Sequence, residues 1–294
     1  MVIASKSDLR LAPHLRKKLE HSAQRHIKNI MRSGRLATVC EEARCPNMSE
    51  CFSHNTATFM IMGDRCTRRC HFCSVTTKKP LALDPGEPAS VAQAALLMGL
   101  DYIVITSVDR DELPDLGAQH FVDVIHEIKK QVPHAEIELL TPDFKGRTAL
   151  IDQVLKSPIN VFGHNIESVS RLYKSLRPQS DFLVTCEVLR YAAMNSSKII
   201  KSGLMVGVGE RDEEVLETLD LLYELGVHIV TIGQYLRPSL KHWPVDRYVT
   251  HESFLKYSSY GKKIGLRHVY AGPFVRSSYH AREAHAQSYI NSRV

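Results

Sequence analysis

From residue 56 onward, short apolar or β-branched segments alternate with longer segments in which apolar residues recur at helical spacing. The helical patterns lie at residues 90–98, 119–130, 212–225 and 252–263. The short segments predict six strands, at residues 56–62, 102–106, 136–140, 160–162, 203–208 and 228–233. Strands that alternate with helices are typical of a parallel sheet with right-handed crossovers. Six units are too few for a closed eight-fold barrel, so we predict an α/β fold, a partial (β/α)6 barrel of the TIM type.

We expect residues 56–265 to form this barrel, between an N-terminal arm at 1–55 and a short C-terminal extension at 266–294. Polar residues follow every predicted strand, at 66–73, 106–111, 141–143, 164–167, 207–210 and 234–238. In barrel enzymes the carboxyl ends of the strands carry the active site. A single polar strand end would mean little, but six in succession predict an active site at this rim.

The composition is that of an ordinary globular protein. Of the 294 residues, 44% are hydrophobic and 24% are charged, which is enough for one large domain with appendages. No stretch approaches 18 consecutive apolar residues, so we expect no membrane span. The N-terminus lacks an apolar segment of the secretory type. We therefore expect a cytoplasmic protein whose cysteines are reactive or metal-bound rather than paired in disulfides.

Positive charge is concentrated near the N-terminus. The net charge is +6, and residues 1–35 hold nine Lys or Arg against Asp8 and Glu20. One interpretation is the solvated face of an amphipathic helix, and another is a docking face for an acidic partner protein. We do not expect nucleic acid as a partner, because no aromatic side chain interleaves with these charges. If the segment is the remnant of a transit peptide, the protein is organellar.

Six of the seven cysteines fall in two triplets. The first triplet, as we call Cys66-x3-Cys70-x2-Cys73, can converge from a loop onto one compact metal centre. A four-iron cluster normally takes four cysteines, so three would leave one iron open for chemistry. The second triplet, Cys40-x4-Cys45-x5-Cys51, has a different spacing and suggests a second centre with a different role. The alternative is a structural zinc site, with His54 or His71 as a fourth ligand, in a scaffold without catalysis.

The triplet Cys66, Cys70 and Cys73 resembles the signature of the radical S-adenosylmethionine superfamily. The surrounding residues resemble the lipoyl synthase family within it, over about residues 10–285. The resemblance is carried by VCEEARCPN (39–47) with Cys51, TATFMI (56–61), TSVDRD (106–111), GHNIE (163–167), SGLMVG (202–207), GQYLRP (233–238) and RSSYH (276–280). The sequence departs from the usual family pattern at His14, Ala37, Phe52 and His54-Asn55, none of which is a predicted ligand of an iron–sulfur cluster.

This resemblance implies two four-iron clusters and S-adenosylmethionine as cofactors. The first cluster would be held by Cys66, Cys70 and Cys73, and an auxiliary cluster by Cys40, Cys45 and Cys51. A serine of the C-terminal motif would complete the auxiliary site, and we assign Ser278, with Ser277 as the alternative. The implied reaction is radical-mediated insertion of two sulfur atoms at carbons 6 and 8 of a protein-bound octanoyl-lysine. It would use two S-adenosylmethionine molecules and sulfide from the auxiliary cluster, as a sulfurtransferase.

The same resemblance implies contacts to S-adenosylmethionine or substrate from residues at the strand ends. We assign these contacts to Thr106, Ser107, Asp109, Asn165, Glu167, Gly203, Met205, Gly207 and Arg237. Each has an ordinary alternative: the glycines permit a tight turn, the polar groups merely end strands, and Arg237 serves as a structural residue. Cys186 stands alone in a predicted helix, where a buried, inert thiol is expected.

The implied partners are an octanoylated lipoyl carrier, a low-potential electron donor and an iron–sulfur cluster carrier. The lipoyl carrier would be the H protein of glycine cleavage or the E2 subunit of 2-oxoacid dehydrogenases, and the donor a ferredoxin or flavodoxin. A competing hypothesis is a radical methylthiotransferase that acts on tRNA. That enzyme would need an RNA-binding domain after the barrel, but fewer than 30 residues follow Leu266.

Overall fold

The structure is a computed structural model that describes residues 21–42, 45, 47–53 and 58–290. Most of the predicted basic arm lies outside these ranges, as do His54 and Asn55. The described chain folds around one eight-stranded sheet and a separate pair of two-residue strands. The strands are β1 (Ala37–Thr38), β2 (Thr58–Ile61), β3 (Arg65–Cys66), β4 (Thr76–Thr77), β5 (Tyr102–Ser107), β6 (Glu136–Leu140), β7 (Val161–Gly163), β8 (Ile199–Val206), β9 (Ile229–Gln234) and β10 (His268–Gly272).

The large sheet has the strand order β1-β2-β5-β6-β7-β8-β9-β10. Every neighbouring pair from β2 to β10 is parallel, and only β1 runs antiparallel, against β2. Among the described residues β1 and β10 are the two edges, so the partial, open barrel predicted from the sequence is confirmed. The six predicted strands are all present. A seventh parallel strand, β10, continues the sheet past residue 265, where we had expected the barrel to end.

Helices connect the parallel strands and cover the outer face of the sheet. They are α1 (His21–Ser33), α2 (Val39–Glu42), α3 (Met48–Ser53), α4 (Glu87–Leu97), α5 (Ala118–Gln131), α6 (Thr148–Leu155), α7 (Ser170–Leu176), α8 (Phe182–Met194), α9 (Asp212–Glu224), α10 (His251–Ile264) and α11 (Ala281–Ile290). None of the helices in the described residues is long and apolar enough to cross a membrane.

The ends of these helices follow from local side-chain chemistry. Asp181 begins α8 by accepting a hydrogen bond from the Leu183 N–H, and Thr250 begins α10 in the same way with the Ser253 N–H. Gly265 ends α10 in the left-handed region, at φ 111°, where a side chain would be strained. Cys186 lies buried in α8, which confirms the expected helix around it.

The two faces of the sheet differ in polarity. Alternate residues of the strands, such as Ile105 and Leu139, pack into the main hydrophobic cluster beneath the helices. The opposite face carries the buried Glu138 and Lys201, whose carboxylate and ammonium lie 2.6 Å apart. The Tyr102 hydroxyl donates to the same carboxylate at 2.6 Å. The barrel interior is therefore polar and hydrogen-bonded.

Helix α11 covers the amino-terminal end of the barrel. Ala284 packs against Val161, Ile199 and Ile229, which are the first residues of β7, β8 and β9. His285 lies 3.2 Å from the carboxylate of Glu136, the first residue of β6. With this end covered, the carboxyl ends of the strands are the side from which ligands can approach.

Candidate active site

A strained turn leads from β2 into the loop that carries Cys66, Cys70 and Cys73. Met62 has φ 68° and Gly63 has φ 89°, both in the left-handed region. The Met62 N–H donates to the Glu87 carboxylate at 2.7 Å, and the Met62 carbonyl accepts from the Arg110 guanidinium at 2.9 Å. A Cβ at Gly117 would collide with the Met62 sulfur. These contacts hold an unfavourable backbone conformation and so determine where the cysteine loop begins.

The loop is held close to the ends of the barrel strands. Cys66 lies in β3, which pairs with β4. Its Sγ accepts hydrogen bonds from the backbone N–H groups of Arg68 at 3.4 Å and of Asp109 at 3.3 Å. Two N–H donors aimed at one sulfur stabilise its thiolate form, which is the form that binds metal.

The three thiols are half-buried and lie close to one another. Burial raises the pKa of Cys66 and of Cys73 to about 12, and it also raises the pKa of Cys70. The neighbouring Cys70 and Cys66 contribute further to the raised pKa of Cys73. Without metal the three therefore stay protonated at neutral pH, and a metal centre would displace the protons.

This set of donors fits an iron–sulfur cluster. In the part of the chain that the structure describes, no three His, Cys, Asp or Glu side chains are arranged to hold a single metal ion. A four-iron cluster requires a different arrangement of ligands. Each cysteine binds its own iron, so the sulfurs do not converge on one point. Three clustered thiols on one loop meet that demand and leave one iron for another ligand.

Arg68 fastens this loop to the barrel. It is only 4% exposed. Its guanidinium donates to both carboxylate oxygens of Asp111, at 2.7 and 2.8 Å, and to both oxygens of Asp143. Burial alone would raise the pKa of Asp143, but the hydrogen bonds from Arg68 outweigh it and hold the pKa at about 2. One cation thus ties the cysteine loop to the residues that follow β5 and β6.

A second buried arginine faces the cysteines from α7. Arg177 is 7% exposed and donates from Nη1 to the Tyr173 hydroxyl at 2.7 Å, while its buried Nε has no partner among the described residues. Burial raises the pKa of Cys70, and Arg177 opposes that effect. Burial likewise raises the pKa of Glu167, against the influence of Arg177 and Asn165. A positive charge with a free donor therefore lies beside the cysteines and the strand-end carboxylate.

The predicted contact residues on β5 do not all face the same way. Thr106 donates its hydroxyl to the Leu140 carbonyl at 2.9 Å. The Ser107 hydroxyl is buried without a partner among the described residues. Asp109 reaches the loop itself, because its carboxylate lies 3.7 Å from Cys66 Sγ and 3.5 Å from the Arg68 Nε. Burial raises the pKa of Asp109.

The residues predicted after β7 and on β8 form one wall. Glu167 has φ 64° and pairs with β8 through its backbone, donating its N–H to the Gly203 carbonyl at 2.9 Å. Asn165 donates to the Glu167 carboxylate at 3.1 Å. A Cβ at Gly203 would lie 3.0 Å from Asn165 Oδ1, so only glycine leaves room for this arrangement. Met205 is half-buried against the cluster of Val208 and its neighbours.

Gly207 and Arg237 have structural partners. At Gly207, φ is 91° and a Cβ would collide with Gln234, so the glycine is required by a turn, as the ordinary alternative held. The Arg237 guanidinium donates to the carbonyls of His242 at 3.0 Å and Leu240 at 2.8 Å. His242 in turn lies 3.0 Å from the Cys73 carbonyl through Nε2. Arg237 therefore supports the cysteine loop indirectly, and direct contacts of either residue to a ligand stay predictions.

The second triplet lies in α2, α3 and the link between them. The Cys45 N–H donates to the Cys40 carbonyl at 2.9 Å, and the Cys51 N–H donates to the Asn47 carbonyl at 2.9 Å. Burial raises the pKa of Cys40 to about 12, with further contributions from Cys45 and Cys51. These three thiols are thus also brought together, in two short helices rather than at a strand end.

The C-terminal segment folds back over this triplet. Asn47 donates its side-chain amide to the Phe274 carbonyl at 2.6 Å, and the Tyr279 hydroxyl donates to the Glu50 carboxylate at 2.7 Å. A cavity of about 440 Å³ opens here, lined by residues that include Cys51 and Ser278. Ser278 is therefore the serine that shares a cavity with a cysteine of the second triplet.

Ser277 has a different environment. Its hydroxyl accepts from Asn165 Nδ2 at 2.8 Å and lies 3.1 Å from Asn165 Oδ1. Asn165 also contacts Glu167, which contributes to the raised pKa values of Cys70 and Cys73. Adjacent serines thus reach toward the two triplets, Ser277 toward the first and Ser278 toward the second.

Sequence reasoning missed Arg68, Arg177, Glu87 and Arg110 as functional candidates. For Arg68 a signal was present, because residues 65–80 contain five Lys or Arg and no Asp or Glu with which a buried cation could pair locally. Its partners had to come from other strand ends, where Asp111 and Asp143 stand. Arg110 lies in the motif TSVDRD (106–111), which offered a signal, whereas nothing in the spacing around Arg177 or Glu87 separates them from ordinary surface charges.

Comparison with known proteins identifies the class to which this site belongs. The family model described as "Radical SAM superfamily" matches residues 60–222, which include the loop of Cys66, Cys70 and Cys73. The fold agrees with solved structures of low sequence identity. The maturase HydG from Carboxydothermus hydrogenoformans has a TM-score of 0.58 at 17% identity, covering 92% of this chain and 62% of that one. Methylornithine synthase (PylB) has a TM-score of 0.53 at 14% identity, covering 83% of this chain and 71% of that one.

Curated relatives identify the family within this superfamily. The lipoyl synthase of Aeromonas hydrophila is 50% identical over 277 residues, which cover 93% of this chain and 86% of the relative. That of Rubrobacter xylanophilus is 52% identical over 260 residues, covering 88% and 81%. That of Laribacter hongkongensis is 50% identical over 284 residues, covering 95% and 90%. The chain belongs to the lipoyl synthase family of radical S-adenosylmethionine enzymes, sulfurtransferases that use 4Fe–4S clusters and S-adenosylmethionine.

Proposed function

We propose that this chain inserts two sulfur atoms, at carbons 6 and 8, into an octanoyl group carried on a lysine of a lipoyl carrier protein. The carriers would be the glycine-cleavage H protein and the E2 subunits of 2-oxoacid dehydrogenases. The observation that supports this most directly is the path of contacts between the triplets. It begins at Glu167, whose charge helps to raise the pKa of Cys70, and continues through hydrogen bonds to Asn165 and Ser277; the next residue shares a cavity with Cys51.

The two triplets have separate roles in this proposal. Cys66, Cys70 and Cys73 hold one four-iron cluster, and Cys40, Cys45, Cys51 and Ser278 hold the other. When bound, the first cluster supplies the electron that cleaves S-adenosylmethionine to a carbon radical, and the second supplies the sulfide. A serine oxygen is a poorer ligand for iron–sulfur centres than a thiolate, so Ser278 suits a cluster that must be dismantled.

The remaining side chains bind and orient S-adenosylmethionine. Arg177 lies beside Cys70 with a free Nε, so it would pair with the carboxylate of the methionine moiety. Asn165 and Glu167 offer an amide and a carboxylate to its polar groups. Gly203 and Met205 form the wall of β8 against which the adenosyl group would lie, and Thr106, Ser107 and Asp109 approach from β5. Helix α11 closes the amino-terminal end of the barrel, which limits the entry of water from that side.

The N-terminal and C-terminal parts of the chain serve the second cluster and the carrier. We assign residues 1–55 and 266–294 together to the auxiliary site, because Asn47 and Glu50 contact Phe274 and Tyr279. The basic arm before residue 21 would contact the acidic surface of the carrier. Reversal of charge at Arg16, Lys17 and Lys18 is then expected to weaken carrier binding, most strongly at low salt. Unchanged affinity would remove this role from the arm.

The decisive experiment is anaerobic reconstitution with iron and sulfide, followed by incubation with an octanoyl-lysine peptide, S-adenosylmethionine and a reductant. Mass analysis of the peptide should show the gain of two sulfur atoms, with the loss of two hydrogens once the dithiol has been oxidised to the cyclic disulfide. A fully loaded chain should contain eight irons if both triplets hold four-iron clusters. Zinc without sulfide would favour the structural scaffold, and four irons per chain would contradict the second cluster.

A further inference from the structure

Positive charge is concentrated around the loop of the first cluster. Residues 65–80 contain five Lys or Arg, residues 170–180 contain three, and residues 236–243 contain two. None of the three segments contains an Asp or Glu. A protein surface with both signs interspersed is the ordinary arrangement, so three acid-free segments at one place require an explanation.

Backbone hydrogen bonds join the three segments around the cysteines. The Lys78 N–H donates to the Cys66 carbonyl at 3.3 Å, and the His71 N–H donates to the Leu176 carbonyl at 2.8 Å. The Trp243 N–H donates to the His71 carbonyl at 2.8 Å. The three segments therefore form one continuous surface over the loop.

Half of these cations are already used by the fold. Arg68 and Arg177 are buried. Arg171 pairs with Glu214, and Arg65 lies 3.8 Å from Asp64. Arg237 donates hydrogen bonds to backbone carbonyls. The other five are exposed and form no ion pair with any described residue. We call them the basic rim: Arg69, Lys78, Lys79, Lys174 and Lys241.

The basic rim is next to the cluster ligands in sequence and in space. Arg69 precedes Cys70, Lys78 hydrogen-bonds to Cys66 through its backbone, and Lys241 precedes His242, whose ring lies 3.0 Å from the Cys73 carbonyl. Unpaired charges of one sign repel one another and do not stabilise the fold. They do create a local positive potential that attracts an acidic protein and orients it.

The chemistry of the site identifies the kind of acidic protein. Each cleavage of S-adenosylmethionine takes one electron and yields methionine and one carbon radical, so an outside donor must be oxidised by one electron each time. The donor has to dock within a short distance of Cys66, Cys70 and Cys73. We propose that the basic rim is the docking surface for an acidic one-electron carrier protein. This inference rests on the proposed function and adds the place where the electron enters.

A binding measurement tests the inference independently of activity. The reconstituted protein is titrated with an acidic flavodoxin at about 50 mM and about 500 mM salt. The variant Lys78→Glu with Lys79→Glu should raise the Kd roughly tenfold at low salt, and the difference should shrink at high salt. A second pair, Lys174→Glu with Lys241→Glu, probes the other two segments. The matched control is Lys262→Glu with Lys263→Glu, an exposed lysine pair in the last turn of α10.

Reductants distinguish docking from damage to the cluster loop. With reduced methyl viologen, a small cation, all three variants should form 5′-deoxyadenosine at the wild-type rate. With reduced flavodoxin only the two rim variants should show a raised KM for the donor. An unchanged flavodoxin Kd in both rim variants overturns the inference, as does an equal loss of rate with both reductants. So does a raised KM for the octanoylated carrier alone, which would assign the rim to the carrier. Wild-type protein that cannot cleave S-adenosylmethionine even with methyl viologen would instead overturn the proposed function.

Discussion

The two cysteine triplets are held in different ways. The loop of Cys66, Cys70 and Cys73 grows out of β2 and is fastened by Arg68 to Asp111 and Asp143, which follow β5 and β6. The triplet of Cys40, Cys45 and Cys51 lies in two short helices outside the parallel strands. Its contacts to Phe274 and Tyr279 join residues 227 and 229 positions apart in the chain.

This difference matches the two roles. A centre that must survive every turnover benefits from a rigid loop anchored to several strands at once. A centre that is consumed and rebuilt benefits from ligands that can separate without opening the sheet, because local opening costs less where fewer buried contacts are broken. Under the proposed division of roles, the durable centre lies at the barrel and the replaceable centre at the two ends of the chain.

The sharpest way to break this comparison is to remove one cysteine from each triplet. Cys66→Ala should lower the formation of 5′-deoxyadenosine by on the order of 1,000-fold, because the cofactor carries a step that no side chain can perform. Cys51→Ala should spare this cleavage but yield no sulfur-containing product. Both products are measured by liquid chromatography and mass spectrometry. Cys186→Ala, in α8, serves as the control and should leave both unchanged. Identical behaviour of the two triplets would contradict the division of roles.

The anchoring of the first triplet can be tested by stability. Arg68→Met leaves the carboxylates of Asp111 and Asp143 without their buried cation. The free energy of unfolding of the metal-free protein should fall by about 3–5 kcal/mol. The exposed neighbour provides the control, since Arg69→Met should change it by less than about 0.5 kcal/mol. Urea unfolding followed by circular dichroism measures both, and equal stability of the two variants would show that Arg68 is not the anchor.

The adjacent serines test the second triplet. Ser278→Ala should reduce sulfur transfer roughly 100-fold, at the upper end of what losing a group at a metal site costs. Ser277→Ala loses only a hydrogen bond to Asn165 worth about 1 kcal/mol, so a loss of less than about tenfold is expected. The Ser278→Ala variant should also contain less iron than the Ser277→Ala variant. The reverse order of effects would make Ser277 the ligand.

The smallest expected effect is a pH dependence that originates in the barrel. Burial, together with the nearby Arg177, lowers the pKa of His164 to about 4. The unfolded chain therefore binds a proton below about pH 6.5 that the folded chain takes up only near pH 4. The free energy of unfolding should fall by about 2 kcal/mol between pH 7 and pH 5 on this account alone.

Comparison with His164→Gln isolates that contribution. The variant should lose less stability than the wild type between pH 7 and pH 5, although His228, whose pKa is also lowered to about 4 by burial, leaves a residual slope. Denaturation curves at the two pH values provide the measurement. Parallel pH profiles would mean that His164 is protonated equally in both states.

Much of this molecule could be predicted from local patterns. All six predicted strands exist, and the helices at 212–225 and 252–263 were placed within a residue or so of α9 and α10. The seventh parallel strand, β10, was missed because we assigned the residues after 265 to a C-terminal extension. The short helices α2 and α3 carry no hydrophobic period long enough to be recognised.

The amino-acid sequence by itself determined the class of fold, the two cysteine triplets and the family. Alternation of apolar segments and the spacing of cysteines are local properties, and each can be recognised without knowledge of the tertiary structure. Only the tertiary structure decided that Ser278 shares a cavity with Cys51, that Ser277 turns to Asn165, and that Arg68 rather than Arg69 is buried among carboxylates. These outcomes depend on packing between residues far apart in the chain. Two adjacent residues of the same type can face opposite sides of one segment, and the packing decides which of them faces the site.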